Sequence, residues 1–452
     1  MFYRTGRTRS NTLQLAIILL AAASAGATGI IDRAQEIAEH LRSQEFSAEG
    51  FEVIELFRAE TTEDLEAAIT NGYPMPWLAE ILEDEAIPEE DRYWLDCRMR
   101  SIFAQDLHVF FDRDGNRISV EADFIIPGED YWREHLMVNP LGESDVPANL
   151  RPTTIYADPG YILDRFGNQV GELAEVFRSV TMSRDASIAA VISGGEREPL
   201  ACFMYPDGTF REVPLPQQGR FQSVVSANGE VIAFECVSPV GTRDPVTFEP
   251  TGVVGEAFFY DPNGNLLNRV SPPAIFSGFE RCKLSSDGRY FCGGLSTGEL
   301  FLTNSLSGYT GELIPVSEGG LGRGVFNFSP DGDYICGGGH SSGVINNLSN
   351  STLTWESNSR NNNYDLTRLR CSNGAECIAN VTRHGPYTDC YFELEVFIDD
   401  QLIFRSIAEE RYNEETIVSP NGYFLLSQKD DVKTGDSAIP TVIRHIKRED
   451  SE

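Results

Sequence analysis

The sequence predicts a mainly β protein, a β-propeller with a small α-helical region ahead of it, and three observations carry that expectation. From about residue 106 onward, short apolar strands alternate with compact turn signals. A turn of Ser, Asp or Asn, and usually Gly recurs six times at a spacing near 43 residues, the length of one four-stranded blade. A second turn, Pro206-Asp207-Gly208 and Pro262-Asn263-Gly264, falls late in two of these periods, and four antiparallel strands need two such hairpin turns.

The six turns are Ser183-Arg184-Asp185, Ser226-Ala227-Asn228-Gly229, Ser285-Ser286-Asp287-Gly288, Ser329-Pro330-Asp331-Gly332, Cys371-Ser372-Asn373-Gly374 and Ser419-Pro420-Asn421-Gly422. Their Asp or Asn positions stand 43, 59, 44, 42 and 48 residues apart, the long interval holding a loop insertion over 238–251. A short apolar strand follows each one, such as Val231 to Phe234 or Tyr423 to Leu426. The chemistry explains the recurrence. Asp or Asn accepts local backbone hydrogen bonds, and the following Gly takes the left-handed conformation that closes the hairpin.

Two further hairpins are expected, at His108 to Val120 and at Tyr161 to Leu173. The second would supply outer strands of another blade and close the ring at seven, with six the alternative count. Asp112-Arg113-Asp114-Gly115-Asn116 looks like a calcium-loop fragment, but the place of the bidentate Glu holds Asp123 and a strand intervenes. A hairpin turn explains it better, and Asp261 to Asn265 reads the same way. The six turns, taken with the strands they open, resemble those of bacterial WD-repeat-like propellers, in which a Ser-Pro-Asp-Gly turn marks each blade. The resemblance covers about residues 177–447 and implies a propeller; it implies no particular ligand.

The N-terminus reads differently. Residues 1–27 have the form of a secretory signal: Arg4, Arg7 and Arg9, an apolar run from Leu13 to Ala25, and small-residue cleavage sites at Ala25 and Ala27. The run is short for a bilayer span, and no later segment is long and apolar enough to cross one, so no stable membrane insertion is expected after cleavage. The protein is therefore expected in the periplasm or outside the cell. Residues 28–105 have a helical texture. Ile31 to Leu41 carries a helix-period stripe, Thr61 can cap a helix with Glu63 and Asp64 in its first turn, and Trp77 to Leu82 continues the pattern. Pro88 then opens a stronger helix with Trp94, Leu95, Met99, Ile102 and Phe103 on its apolar side. One such unit cannot bury its own face, so it is expected to serve as a cap on the propeller spanning 106–452.

Charge and cysteines bound the function. A net charge of −33 repels phosphate backbones and argues against nucleic acid and anionic membranes. Nine cysteines in an exported chain lean towards disulfides, and none form a C-x-x-C pair, which argues against a thiolate zinc site. Counting out from a three-residue loop at 286–288 sets Cys282 opposite Cys292, and a loop at 382–385 sets Cys377 opposite Cys390, giving two candidate disulfides. The histidines at 40, 108, 135, 340, 384 and 445 have no metal-motif spacing, and His384 reads as a turn residue. No nucleophile elbow is present, so no catalytic, cofactor or metal site is assigned. The expected function is that of an exported binding or scaffold protein for a protein, peptide or glycan ligand. The alternative is a lactonase- or lyase-like enzyme with its site in the central channel.

Overall fold

A computed structural model describes residues 46–119 apart from 108 and 113, and from 137 to 448 the strands with some of the turns joining them. The expected helix at Ile31 to Leu41 and the signal segment lie outside the described residues. The described strands form one separate hairpin and seven antiparallel sheets in chain order, here sheets I to VII: 137–172, 177–213, 220–270, 279–314, 326–358, 366–409 and 415–448. In sheets I to VI each strand bonds to the next in sequence, and sheet VI gains a short fifth strand, Phe46–Ser47, on its outer edge. Sheet VII supplies only three strands of its own; its fourth is Phe51–Ala59, antiparallel to Thr441–Arg448.

That strand falls inside the stretch expected to be helical. Its alternation is legible in Phe51, Val53 and Phe57, but its partner lies nearly the whole chain away, and no local signal could place the pairing. Three helices follow this strand. Thr62–Ile69 (α1) begins with Thr61 and Asp64 exchanging side-chain and backbone hydrogen bonds, a capping box that satisfies two otherwise orphan N–H groups. Pro76–Glu83 (α2) carries Pro in its first turn, and Glu89–Leu107 (α3) carries Glu89, Glu90 and Asp91 in its own.

Every sheet from II to VII buries apolar side chains, and the clusters link the sheets in series. Phe203, Phe234 and Tyr260 join II to III, and Phe259, Phe291 and Phe301 join III to IV. Cys292, Phe326 and Ile335 join IV to V, Ile345 and Leu369 join V to VI, and Val396, Leu425 and Ile446 join VI to VII. The first strands of sheets II to VII also touch one another in order. The four-stranded sheets thus pack face against face in the order of the chain. The other face of sheet VII, with Phe57, Phe424, Leu426 and Ile443, is covered by Leu65, Leu78, Trp94, Met99 and Phe103 of the helices and by Val109 and Phe111 of the hairpin. Helix α3 in turn touches the first two strands of sheet I. The helices therefore flank the last sheet as a layer in the stack.

The recurrent turn is the joint between sheets. At six places the N–H of the residue five positions on is paired with a buried serine: Ile188 with Ser183, Val231 with Ser226, Tyr290 with Ser285, Tyr334 with Ser329, Cys377 with Ser372 and Phe424 with Ser419, at 2.9 to 3.2 Å from that N–H to Oγ. The serine N–H answers by donating to the carbonyl of the same partner. The fifth turn thus starts at Ser372, one residue later than the sequence predicts, and Cys371 ends the strand before it. In three turns the serine hydroxyl also meets the carboxylate or amide two residues on: Ser226 with Asn228, Ser285 with Asp287 and Ser329 with Asp331. Two of the turn glycines have no room for a side chain. A Cβ on Gly288 (φ 72°) would lie 2.6 Å from Val231 Cγ2, and one on Gly422 (φ 76°) would lie 2.4 Å from Cys377 Cβ.

From the second turn on, each also bonds to the next. Asn228 N–H donates to Ser286 O at 3.0 Å, Ser286 Oγ donates to Pro330 O, Gly374 N–H donates to Asp331 Oδ2 at 2.7 Å, and Asn373 N–H donates to Pro420 O at 2.7 Å. The series ends on helix α3: the Asn421 amide Nδ2 donates to Asp91 Oδ2 at 2.7 Å, and its backbone N–H lies 3.2 Å from both Asp91 oxygens. Asp91 is fully buried and occupies the place where a further serine turn would receive those donors. Replacing it by Ala strands two donors of Asn421, so Asp91→Ala is expected to lower unfolding free energy by about 1–3 kcal/mol, while Asp91→Asn recovers part of that. Chemical denaturation of the two variants measures the difference.

Candidate functional site

Sheet VI carries a row of charged and polar side chains across three strands on the face that looks towards sheet V. Register sets Asn380, Glu395 and Arg405 directly opposite one another, with Thr382 and Glu393 one pair further along. The pleat sends these residues to one face, and Ala379, Val381, Leu394 and Val396 to the other, where they join the core against sheet VII. In sequence the segment Tyr391 to Ile398 has acids at alternate positions, Glu393 and Glu395, but spacing along the chain does not say which sheet that face meets.

The geometry is tight. Arg405 Nη2 donates to Glu395 Oε1 at 2.6 Å, and Arg405 Nε lies 3.1 Å from Glu393 Oε1. His384 Nε2 lies 2.9 Å from Glu393 Oε2, and Asn380 Nδ2 donates to Glu395 Oε2 at 3.1 Å. Burial by itself raises the Glu393 carboxyl, but the hydrogen bond and charge of His384 and the charge of Arg405 outweigh it and hold the group below the ordinary carboxylate range. Glu395 goes the other way: burial and the adjacent Glu393 charge push it up, against Arg405 and Asn380. Two neighbouring carboxylates are thus driven apart in acidity by their surroundings. One acceptor is left over. Asn380 is 3% exposed and its Oδ1 has no hydrogen-bond partner, and on the same face of the adjoining strand the Thr367 hydroxyl, fully buried, has none either.

The sequence-derived candidates fall elsewhere. Cys282 stands opposite Gly293, and Cys292 opposite Lys283, because the turn at Ser285 closes on Tyr290 and leaves four residues in the loop, one more than the counting assumed. The expected Cys282–Cys292 disulfide is therefore absent, and Cys292 is a free, buried thiol pushed up by desolvation. The strand Cys377–His384 runs through the residues expected to form a loop, so Cys377 opposes Ile398 and not Cys390. Cys377 is free, and Cys390 lies outside the described residues. His384 accordingly ends a strand and is not a turn residue. Asp112 and Asp261 each accept N–H bonds from an Asn four residues on, as hairpin turns. His40, His108, His135 and His340 lie outside the described residues, and among the described residues no group of three His, Cys, Asp or Glu is placed to hold a metal ion.

No protein-family model and no curated protein matches the chain. Among solved structures it is similar to the β-propeller domain of Cps50 (Swd1) from Myceliophteria thermophila, at 10% identity and a TM-score of 0.34 over 61% of this chain and 98% of that one. It is also similar to a chain of a mitotic checkpoint complex, at 14% identity and a TM-score of 0.44 over 71% of this chain and 93% of that one. The architecture described above rests on strand pairing and sheet packing, independently of these likenesses.

His445, on sheet VII, gives a pH test of the packing. Its ring lies 5.0 Å from that of Phe424 between centroids, and burial, with Lys447 nearby, lowers its pKa to about 4 against the weaker pull of Asp84. The folded pKa lies below the unfolded one, so the neutral ring's contribution is complete above about pH 6.5 and is lost as pH falls towards 4. The difference in denaturation midpoint between the native protein and His445→Gln is expected to shrink over that window and stay constant above it.

Proposed function

We propose that the protein is an exported binding protein, a seven-bladed β-propeller that takes a cationic peptide segment of a partner protein between sheets V and VI. Residues 1–27 would direct export, sheets I to VII would be the blades, and the helices beside sheet VII would complete the ring next to sheet I. The observation that carries the binding reading is the acceptor-rich row of Glu393, Glu395 and Asn380. Its carboxylates are held in place by Arg405 and His384 and remain partly open to solvent, with side-chain exposures of 20% and 17%. Two partly open carboxylates beside one guanidinium suit a Lys or Arg side chain. They suit an anion poorly.

The charge of the whole chain supports the same partner. At −33 it attracts cationic segments over several ångströms and speeds their encounter, an effect that salt weakens. Fluorescence anisotropy with labelled cationic, neutral and anionic peptides, at low and high salt, tests this. The cationic peptides are expected to bind, more weakly as salt rises. Glu395→Gln, which keeps hydrogen-bonding capacity towards Arg405, is expected to weaken them roughly tenfold, about 1.4 kcal/mol. Equal binding of all three peptide classes, or no effect of Glu395→Gln, overturns the assignment.

A further inference from the structure

Two buried cysteines from neighbouring sheets meet where sheets V and VI are closest. Cys336 lies on Tyr334–Gly338 of sheet V, and Cys371 ends Leu366–Cys371 of sheet VI. They are 0% and 4% exposed and belong to one core cluster with Ile345, Leu369 and Ile378. The Cys336 sulfur lies 3.4 Å from Leu369 O and 3.3 Å from Asn327 O, and the Cys371 thiol is near enough to perturb its acidity. The approach is set by two glycines. A Cβ on Gly338 would fall 2.0 Å from Thr367 O, and one on Gly343 would fall 2.5 Å from Leu369 Cδ1. With no side chains there, the first strand of sheet VI lies against two strands of sheet V. Gly338 is set beside Thr367 and Cys336 beside Leu369, which leaves Cys371, two residues along the same face, within reach of Cys336.

We propose that Cys336 and Cys371 form a disulfide that ties sheet V to sheet VI when the chain folds in the presence of a disulfide oxidant. The surroundings divide the work between the two sulfurs. The neighbouring Cys371 thiol, opposed by burial and helped by the charges of Arg370 and Lys283, brings Cys336 down to about 7, while Cys371 is pushed up. As the sheet V–VI contact forms and these influences come into play, the Cys336 thiolate is the sulfur that attacks first. It forms a mixed disulfide with one sulfur of the oxidant and releases the other as a thiol. Cys371 then gives up its proton and attacks the Cys336 sulfur, and the second oxidant thiol leaves. The protein loses two protons and two electrons, and a small disulfide such as oxidised glutathione becomes two thiols. Burial closes the pair to the oxidant in the finished fold, so the bond forms during folding or on opening of the sheet V–VI contact.

The two cysteines are missed by counting along the sequence because that procedure finds partners within one hairpin. These belong to different sheets, 336 following the fourth serine turn and 371 preceding the fifth.

The test is to refold the full chain from urea with a mixture of oxidised and reduced glutathione, block remaining thiols by alkylation, and map the peptides without reduction. Trypsin leaves Cys371 and Cys377 on one peptide, so a glutamyl endopeptidase cutting at Glu376 separates them. The expected product joins the Cys336 peptide to the Cys371 peptide and is two hydrogens lighter than the sum of the two. Adding dithiothreitol is expected to lower the urea midpoint of the oxidised native chain and leave Cys336→Ala/Cys371→Ala unchanged. Both cysteines recovered singly alkylated, or Cys336 joined to any other cysteine, overturns the proposal. The mapping uses the native sequence, so it decides the matter even where the double variant fails to fold.

Discussion

A four-stranded sheet with apolar side chains on both faces cannot stand at the end of a stack, and this constraint organises the molecule. Sheets III to VI meet it by packing against a neighbour on each side, through the aromatic and aliphatic clusters that run from Phe203 to Ile446. Sheet VII meets it differently. One face packs on sheet VI, and the other is covered by three helices and a hairpin drawn from the N-terminal part of the chain. The same N-terminal part lends sheet VII its outer strand, so residues 51–111 both complete the last sheet and cover it. Beginning and end of the chain are thereby bound into one hydrophobic unit, and fraying of either end is opposed by burial at both.

The serine turns solve a second problem, that of aligning sheets which are joined by only a short link. A buried hydroxyl is costly unless its hydrogen-bonding capacity is used. Each turn serine uses it on the backbone five residues ahead, and three of them also on the Asx side chain two residues ahead. The hairpin is thus fixed from within, and its outer groups are free to bond to the next turn. Glycine at the left-handed position lets neighbouring turns approach closely. The result is a line of backbone and side-chain bonds from Asn228 to Asp91 along one end of the sheets. A charged row on sheet VI lies on the same molecule but away from these turns, beyond the middle of its strands. The elements that align the sheets and those open to a partner are therefore separate.

Much of this was legible in the sequence, and the parts that were not share a cause. The repeated turn announced the sheets because its chemistry is local: Ser, Asx and Gly within four residues specify a hairpin whatever surrounds them. Thr61 with Asp64 announced a helix start for the same reason. The strand Phe51–Ala59 went unrecognised because its partner is at the other end of the chain. The expected disulfides failed on local register, since one extra residue in the loop at Ser285 and a longer strand at Cys377 move both sulfurs off their partners. The pairing of Cys336 with Cys371, and the convergence of His384, Glu393, Glu395 and Arg405, depend on which sheet faces which. Spacing along the chain holds no record of that.

The central claim is that the N-terminal strand is an integral part of the last sheet. Hydrogen–deuterium exchange on the full chain tests it directly, by comparing the amides of Phe51–Ala59 with those of Thr441–Arg448. The account predicts that the two strands exchange slowly and lose protection together as denaturant is raised. Protection of Thr441–Arg448 alone, with Phe51–Ala59 exchanging at the rate of an unstructured chain, would contradict it.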